Sequence, residues 1–151
     1  MRAVLQRVLN AEVTVDDVSI ARIGRGVVVL AGLETGDGVD EVRWMARKIA
    51  SLKILEIVDF ATPQSIGEAD AAVLAVSQFT LMADCRKGRR PSYDAAMASA
   101  DAAPLFDRFV AALRDEIRSV QVGQFGATMQ IRLTNDGPYT LVIDSRRARH
   151  G

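Results

Sequence analysis

Short apolar runs alternate with polar breaks along this chain, at a spacing that suits strands more often than helices. Arg2–Val8 and Ala11–Val15 read as strands with Asn10 at the connection, and Ser19–Ile23 follows a turn at Asp16-Asp17. Gly24 and Gly26 bracket a tight turn into Val27–Ala31, whose unbroken apolar run predicts a strand covered on both faces. After the Gly36-Asp37-Gly38 turn, Val39, Val42, Ala46 and Ile49 recur at helical spacing, flanked by Trp44 and Met45, while Glu41, Arg43, Arg47 and Lys48 fill the other face. Lys53–Val58 reads as a strand, Asp59–Asp70 as a loop around Pro63 and Gly67, and Ala72–Val76 as a second continuous apolar strand. A second helix is expected near Asp101 as N-cap, with Pro104 in its first turn and Leu105, Phe106, Phe109, Val110, Leu113 and Ile117 turned inward. Val120–Phe125, Met129–Thr134 and Tyr139–Asp144 complete the pattern as strands.

This order predicts an α+β fold: a mainly antiparallel, barrel-like sheet with two amphipathic helices on one face. Several strands are apolar on both sides, more than two helices can cover, so a homodimer is expected to supply the remaining cover. With 151 residues, 49% of them hydrophobic, one domain over residues 1–144 accounts for the core, followed by a basic tail over 145–151. The apolar stretch Gly26–Leu33 falls well short of the ~20 residues a membrane span needs, and the first residues lack the apolar region of a signal peptide. A cytoplasmic protein away from membranes is therefore expected.

Composition narrows the chemistry. The single histidine, His150, sits in the basic tail and the single cysteine, Cys85, in a charged loop. A Ser-His-Asp triad and a zinc site are both excluded for one protomer, and neither metal nor cofactor is expected. Net charge is zero, but Arg86, Lys87, Arg89 and Arg90 cluster within five residues, and Arg146, Arg147 and Arg149 crowd the tail. Both patches suit phosphates, or simply solvent.

Two segments carry candidate chemistry. In Ser77-Gln78-Phe79-Thr80-Leu81, strand alternation would put Gln78 and Thr80 on one side, where an amide and a hydroxyl could donate to an oxyanion or hold a water; neither is a base near neutral pH. A strand end with satisfied polar groups is the plain alternative. In Asn135-Asp136-Gly137-Pro138-Tyr139-Thr140, Pro138 removes a ladder donor, so a turn or bulge is expected. From the residues alone a trans Gly137–Pro138 peptide is favoured. A cis one could aim two carbonyls at an ammonium group.

Ser77–Leu81, the following Ala83-Asp84-Cys85-Arg86-Lys87-Gly88-Arg89-Arg90-Pro91-Ser92 and Asn135–Thr140, in this order and spacing, resemble the D-aminoacyl-tRNA deacylase family. The resemblance extends from Met1–Val8 through Val13–Val15, Gly26–Gly32 and Phe125 to Asp144. It implies a homodimeric hydrolase, with active sites at the subunit interface, that cleaves the ester between a D-amino acid and the 3′-terminal adenosine of tRNA. On that resemblance, Gly137 and Pro138 form a cis chiral filter reaching into the partner's site. Ser77, Gln78 and Thr80 would carry catalysis, Phe79, Phe125, Met129, Asn135 and Thr140 would bind substrate, and Arg86, Lys87, Arg89 and Arg90 would meet tRNA. A steric filter cannot reject glycine, so glycyl-tRNA is an expected substrate. The sequence departs from the family at Cys85, usually threonine, at Met82, usually tyrosine or alanine, in Asp59–Asp70, which lacks the usual Lys-Met-Asn, and in the tail beyond Asp144. The competing reading is a non-catalytic dimeric tRNA-binding module built on the basic loop.

Overall fold

The computed structural model describes residues 1–55, 62–69 and 71–146. Strand β1 (Arg2–Val15) is the spine of the sheet. β8 (Gln130–Asp144) runs antiparallel along one edge of it; β3 (Gly26–Gly32) and β2 (Val18–Ile23) share the other, taking residues 2–8 and 11–15 respectively. Asn10 is thus no connection, and one strand stands where two were expected. Ala3 and Leu5 belong to the core under the helices, whereas Ala11 and Val13, of the same parity, belong to the core inside the sheet. A β-bulge inverts the phase: the register against β8 shifts between Gln6 and Val8 and again between Val8 and Asn10. The hairpin into β2 turns on Asp16 and Asp17, both at positive φ, as a tight primed turn requires.

β6 (Ala72–Ser77) lies parallel to β3, and β7 (Ser119–Val122) parallel to β6. Such pairs need long crossovers. Helix α1 (Val39–Ala50) lies in the first and α2 (Ser99–Glu116) in the second. The expected antiparallel pairing therefore holds around β1 and gives way to a mixed sheet at β6. β2 curls back against β6 and β7, so the sheet nearly closes as a barrel. Val27, Val29 and Ala31 pack under α1 and α2, while Val28 turns inward to Leu74, Val76, Val8 and Val13. The continuous apolar runs of β3 and β6 are covered on both faces, as their composition predicts.

Several boundaries differ from the sequence reading. α2 starts two residues before Asp101, with Ala98 as N-cap, so Asp101 sits in the first turn, where the helix dipole favours a carboxylate, and Pro104 in the second. Gln64–Ser65 pairs with β4 (Lys53–Leu55) as the short strand β5, within what was expected to be a loop, and Ser65 Oγ donates to Glu68 at 2.8 Å. The remainder of the strand expected to reach Val58 lies outside the described residues, as does the start of that loop. β7 stops short of Phe125, and the two strands expected over 129–144 are one.

Candidate active site

β3, β6 and β7 run parallel and end at one rim, the edge of a parallel sheet where ligands characteristically bind. A cavity of about 430 Å³ opens there. Ala31 and Leu33 come from the end of β3, Ser77, Gln78 and Phe79 from the end of β6, Phe125 and Met129 from the segment after β7, and Ala102 and Phe106 from α2. No ionisable side chain lines it. Gly123 admits the Met129 sulfur, which would lie 2.7 Å from any Cβ placed there.

The strand alternation expected over Ser77–Thr80 does not persist. β6 ends at Ser77, the Gln78 amide makes one last bond to the Ala31 carbonyl at 2.8 Å, and Phe79–Met82 wind into a 3-10 turn. Gly32 allows that turn to approach β3: a Cβ there would meet the Gln78 carbonyl at 2.8 Å and Leu81 Cβ at 3.0 Å. Gln78 and Thr80 meet all the same, because the Gln78 amide Nε2 donates to Thr80 Oγ1. Thr80 is tied to the cavity through Gln78 rather than lining it. With one lone pair engaged, its hydroxyl proton is free to donate elsewhere. Asp84, just beyond the 3-10 turn, is gripped by Arg86, through Nε at 2.9 Å and Nη2 at 2.6 Å. Hydrogen bonding from the Arg86 guanidinium, followed by its backbone amide, brings the Asp84 carboxyl down to about 2. It is too weak a base to activate a hydroxyl.

The Asn135–Thr140 segment is a bulge within β8. Asn135 pairs with Val8 and Thr140 with Gln6, so Asp136–Tyr139 stand opposite Arg7 alone and must bow out. The Gly137–Pro138 peptide is cis. Arg7, only 4% exposed, lies behind the bulge and holds it: Nε donates to the Asp136 carbonyl at 3.0 Å, Nη2 to the Gly137 carbonyl at 2.7 Å, and Nη1 to the Ile54 carbonyl at 2.8 Å. The guanidinium also lies 4.5 Å from the Tyr139 ring centroid and 3.2 Å from the Asp136 carboxylate. Gln6 brackets the base, donating to Asn135 Oδ1 and accepting from Thr140 Oγ1 at 3.1 Å. Asn135, Gly137, Pro138 and Thr140 are exposed and do not line the cavity.

Arg7 and Gln6 are not among the residues that the sequence motifs single out. A signal for Arg7 existed, since it continues the Ala3, Leu5 phase and so places a guanidinium on the buried side of a strand. Arg86, Lys87, Arg89 and Arg90 are exposed on a loop closed where Asp84 and Ser92 exchange backbone bonds of 2.8 and 3.0 Å. Cys85 is exposed in that loop and Met82 is buried beneath it. In the tail, Ser145 Oγ accepts from the Met1 ammonium at 2.9 Å and Arg146 pairs with Glu34 at 2.7 Å; Arg147, Arg149 and His150 lie outside the described residues. Among the described residues no cluster of metal-ligating side chains occurs, and no helix is long and apolar enough to cross a membrane.

A nearly closed mixed sheet with two helices on one face, and a cavity without ionisable side chains at the ends of its parallel strands, define an α+β domain with an uncharged candidate site. The D-Tyr-tRNA(Tyr) deacylase family matches residues 4–144. A D-aminoacyl-tRNA deacylase of Thermus aquaticus is 48% identical over 145 residues, covering 96% of this chain and 95% of its own, and one of Geobacter sulfurreducens is 43% identical, covering 97% and 96%. Among solved structures, the c-Myc DNA unwinding element binding protein superposes with a TM-score of 0.89 at 37% identity, covering 95% of this chain and 98% of its own. A probable eukaryotic D-amino acid tRNA deacylase shares the fold, with a TM-score of 0.82 at 23% identity, covering 94% and 97%. This chain belongs to the D-aminoacyl-tRNA deacylase family and is a hydrolase.

Proposed function

We propose that the protein hydrolyses the ester joining a D-amino acid, or glycine, to the 3′-terminal adenosine of tRNA and spares L-aminoacyl-tRNA, a chirality check on translation in the cytoplasm. The observation that carries the reading is the uncharged cavity at the ends of β3, β6 and β7, with Ser77, Gln78 and Phe79 at its mouth, in a chain of this family. Its volume, about 430 Å³, falls in the ordinary range for small-ligand sites. Phe125 and Met129 would seat the adenosine, Phe79 would meet the substrate at the mouth, and Ser77 and Gln78 would face the ester.

Gly137 and Pro138 are exposed and lie away from the cavity of their own protomer. They would therefore act in the cavity of a second copy. The outer edge of the 15-residue strand β8 has no partner among the described residues, and Val142 (68% exposed), Leu133 and Leu9 leave apolar surface uncovered on β8 and β1, which favours a homodimer. Backbone carbonyls of the filter would receive the α-ammonium group, and an L side chain would strike the loop. Asn135 and Thr140 would support that loop through Gln6. In the reaction itself, Thr80 would donate toward the developing oxyanion while water, assisted by the adjacent ribose 2′-hydroxyl, attacks; well-placed neighbouring groups reach effective molarities on the order of 10⁵ M or more. Arg86, Lys87, Arg89 and Arg90 would meet phosphates.

The test is release of amino acid from D-tyrosyl-, L-tyrosyl- and glycyl-tRNA. Hydrolysis of the D and glycyl esters with the L ester intact is expected. Salt-sensitive tRNA binding without any hydrolysis would replace the reading with a non-catalytic tRNA-binding module, and resistance of glycyl-tRNA would remove the steric filter.

A further inference from the structure

Phe79 is 58% exposed at the mouth of the cavity it lines, and Tyr93, 39% exposed, stands beside it with ring centroids 5.2 Å apart and planes at 66°. In an edge-to-face pair, each ring keeps at least one face that its neighbour does not use. The rings rise from the two ends of one fixed structure. Phe79 opens the 3-10 turn that leads to Asp84, Asp84 and Ser92 close the basic loop by their exchanged backbone bonds, and Tyr93 follows directly, its carbonyl accepting from the Ala96 amide at 2.9 Å. The pair thus lies between the cavity mouth and the loop. Arg86 is taken up by Asp84, whereas Lys87, Arg89 and Arg90 make no ion pair among the described residues. Exposed aromatic faces beside unpaired cations are the two elements by which proteins hold single-stranded nucleic acid, bases stacking on rings while cations follow the backbone.

We propose that Phe79 and Tyr93 form a stacking platform for the nucleobase immediately 5′ of the terminal adenosine, with Lys87, Arg89 and Arg90 receiving the phosphates beyond it. The inference rests on the proposed function, in which the terminal adenosine occupies the cavity; a strand leaving that cavity toward the loop must pass over the rings. Stacking tolerates any base, so the platform would add affinity without sequence preference. Tyr93 contributes its ring, and its hydroxyl is dispensable.

The experiment compares D-alanyl-adenosine with the D-alanyl ester of cytidylyl-adenosine, using wild type, Tyr93→Ala and Tyr93→Phe. Alanine is chosen because its side chain cannot itself stack. The added cytidine is expected to raise the wild-type kcat/KM about tenfold, Tyr93→Ala to remove most of that gain while leaving the adenosine ester within about twofold of wild type, and Tyr93→Phe to retain it. Equal loss on both esters, or an undiminished gain in Tyr93→Ala, overturns the platform. A wild type that cleaves both esters at the same rate does so too while leaving the proposed function intact; one that cleaves neither these esters nor D-aminoacyl-tRNA removes the proposed function itself.

Discussion

Arg7→Lys is the perturbation that tests how the Gly137-Pro138 bulge is held. The guanidinium reaches three backbone carbonyls, those of Ile54, Asp136 and Gly137, at 2.8, 3.0 and 2.7 Å, from a position only 4% exposed. A lysine keeps the charge, but its single ammonium cannot span carbonyls on two separate segments. Two carbonyls then lose a charge-assisted donor worth ~1.5–3 kcal/mol each, roughly 3–6 kcal/mol together. That range overlaps the ~3–5 kcal/mol typical of breaking a buried charged contact. At ~2–4 °C per kcal/mol for a chain of this size, the midpoint of thermal unfolding should fall by about 10 °C. The variant should remain folded at 25 °C, where activity is then read. The ends of β3 and β6 are untouched, so hydrolysis of D-tyrosyl-tRNA should persist within a few-fold, while a yielding bulge admits the L ester and lowers the D-to-L ratio of kcat/KM by about tenfold, equivalent to ~1.4 kcal/mol. Loss of stability with an unchanged ratio would refute the reasoning, because it would mean that something other than Arg7 fixes the rejecting backbone.

Four further outcomes follow from the same structure. Thr80→Ala should keep substantial activity, whereas an ester on a terminal 2′-deoxyadenosine should lose most of it; the reverse would make Thr80 the nucleophile. Asp84 has its carboxyl lowered to about 2 by Arg86, so its proton is absent across the working range and any contribution of that pair to stability is lost only as pH falls below ordinary carboxylate values toward 2; Asp84→Asn should therefore leave the profile of kcat/KM between pH 5 and 8 unchanged, and a lost limb would identify Asp84 as a base. Gly32→Ala should push on the Gln78 carbonyl, 2.8 Å from the new Cβ, and lower kcat/KM about tenfold or more with ~1–3 kcal/mol of destabilisation, checked by kinetics and urea unfolding. Replacing Lys87, Arg89 and Arg90 together by glutamine should flatten the slope of log affinity for tRNA against log salt by about 2, at ~0.7 per single-strand phosphate contact; an unchanged slope would place the tRNA elsewhere.

The legible part of the fold was the part governed by periodicity. The helix over 39–50 and the doubly covered strands β3 and β6 follow from spacing alone. The two strand errors share a cause. At Asn10 and at Asp136–Tyr139 the strand phase changes, and a phase change looks the same in sequence whether the chain turns away or bulges and continues. Only the long-range pairing of β1 with β8 decides between them. The start of α2 is hidden because Asp101 is a good cap by type, while the position that begins the helix is an alanine with no side-chain bond to offer.

In the site, Ser77–Thr80 and Gly137-Pro138 stood out because they interrupt apolar runs, but their partners did not. On the proposed function the bulge rejects a ligand by collision; such a surface must not yield, and backbone facing solvent cannot stiffen itself. It has to be held from the side away from the ligand. Arg7 and Gln6 occupy that side, more than 120 residues away in sequence from the bulge they hold. Their residue types are unremarkable in a strand; what marks Arg7 is a charge on the buried phase with three carbonyls to satisfy. A buried guanidinium in a strand is thus a reason to look for the distant backbone it holds, and here that backbone is the exposed Gly137-Pro138 bulge.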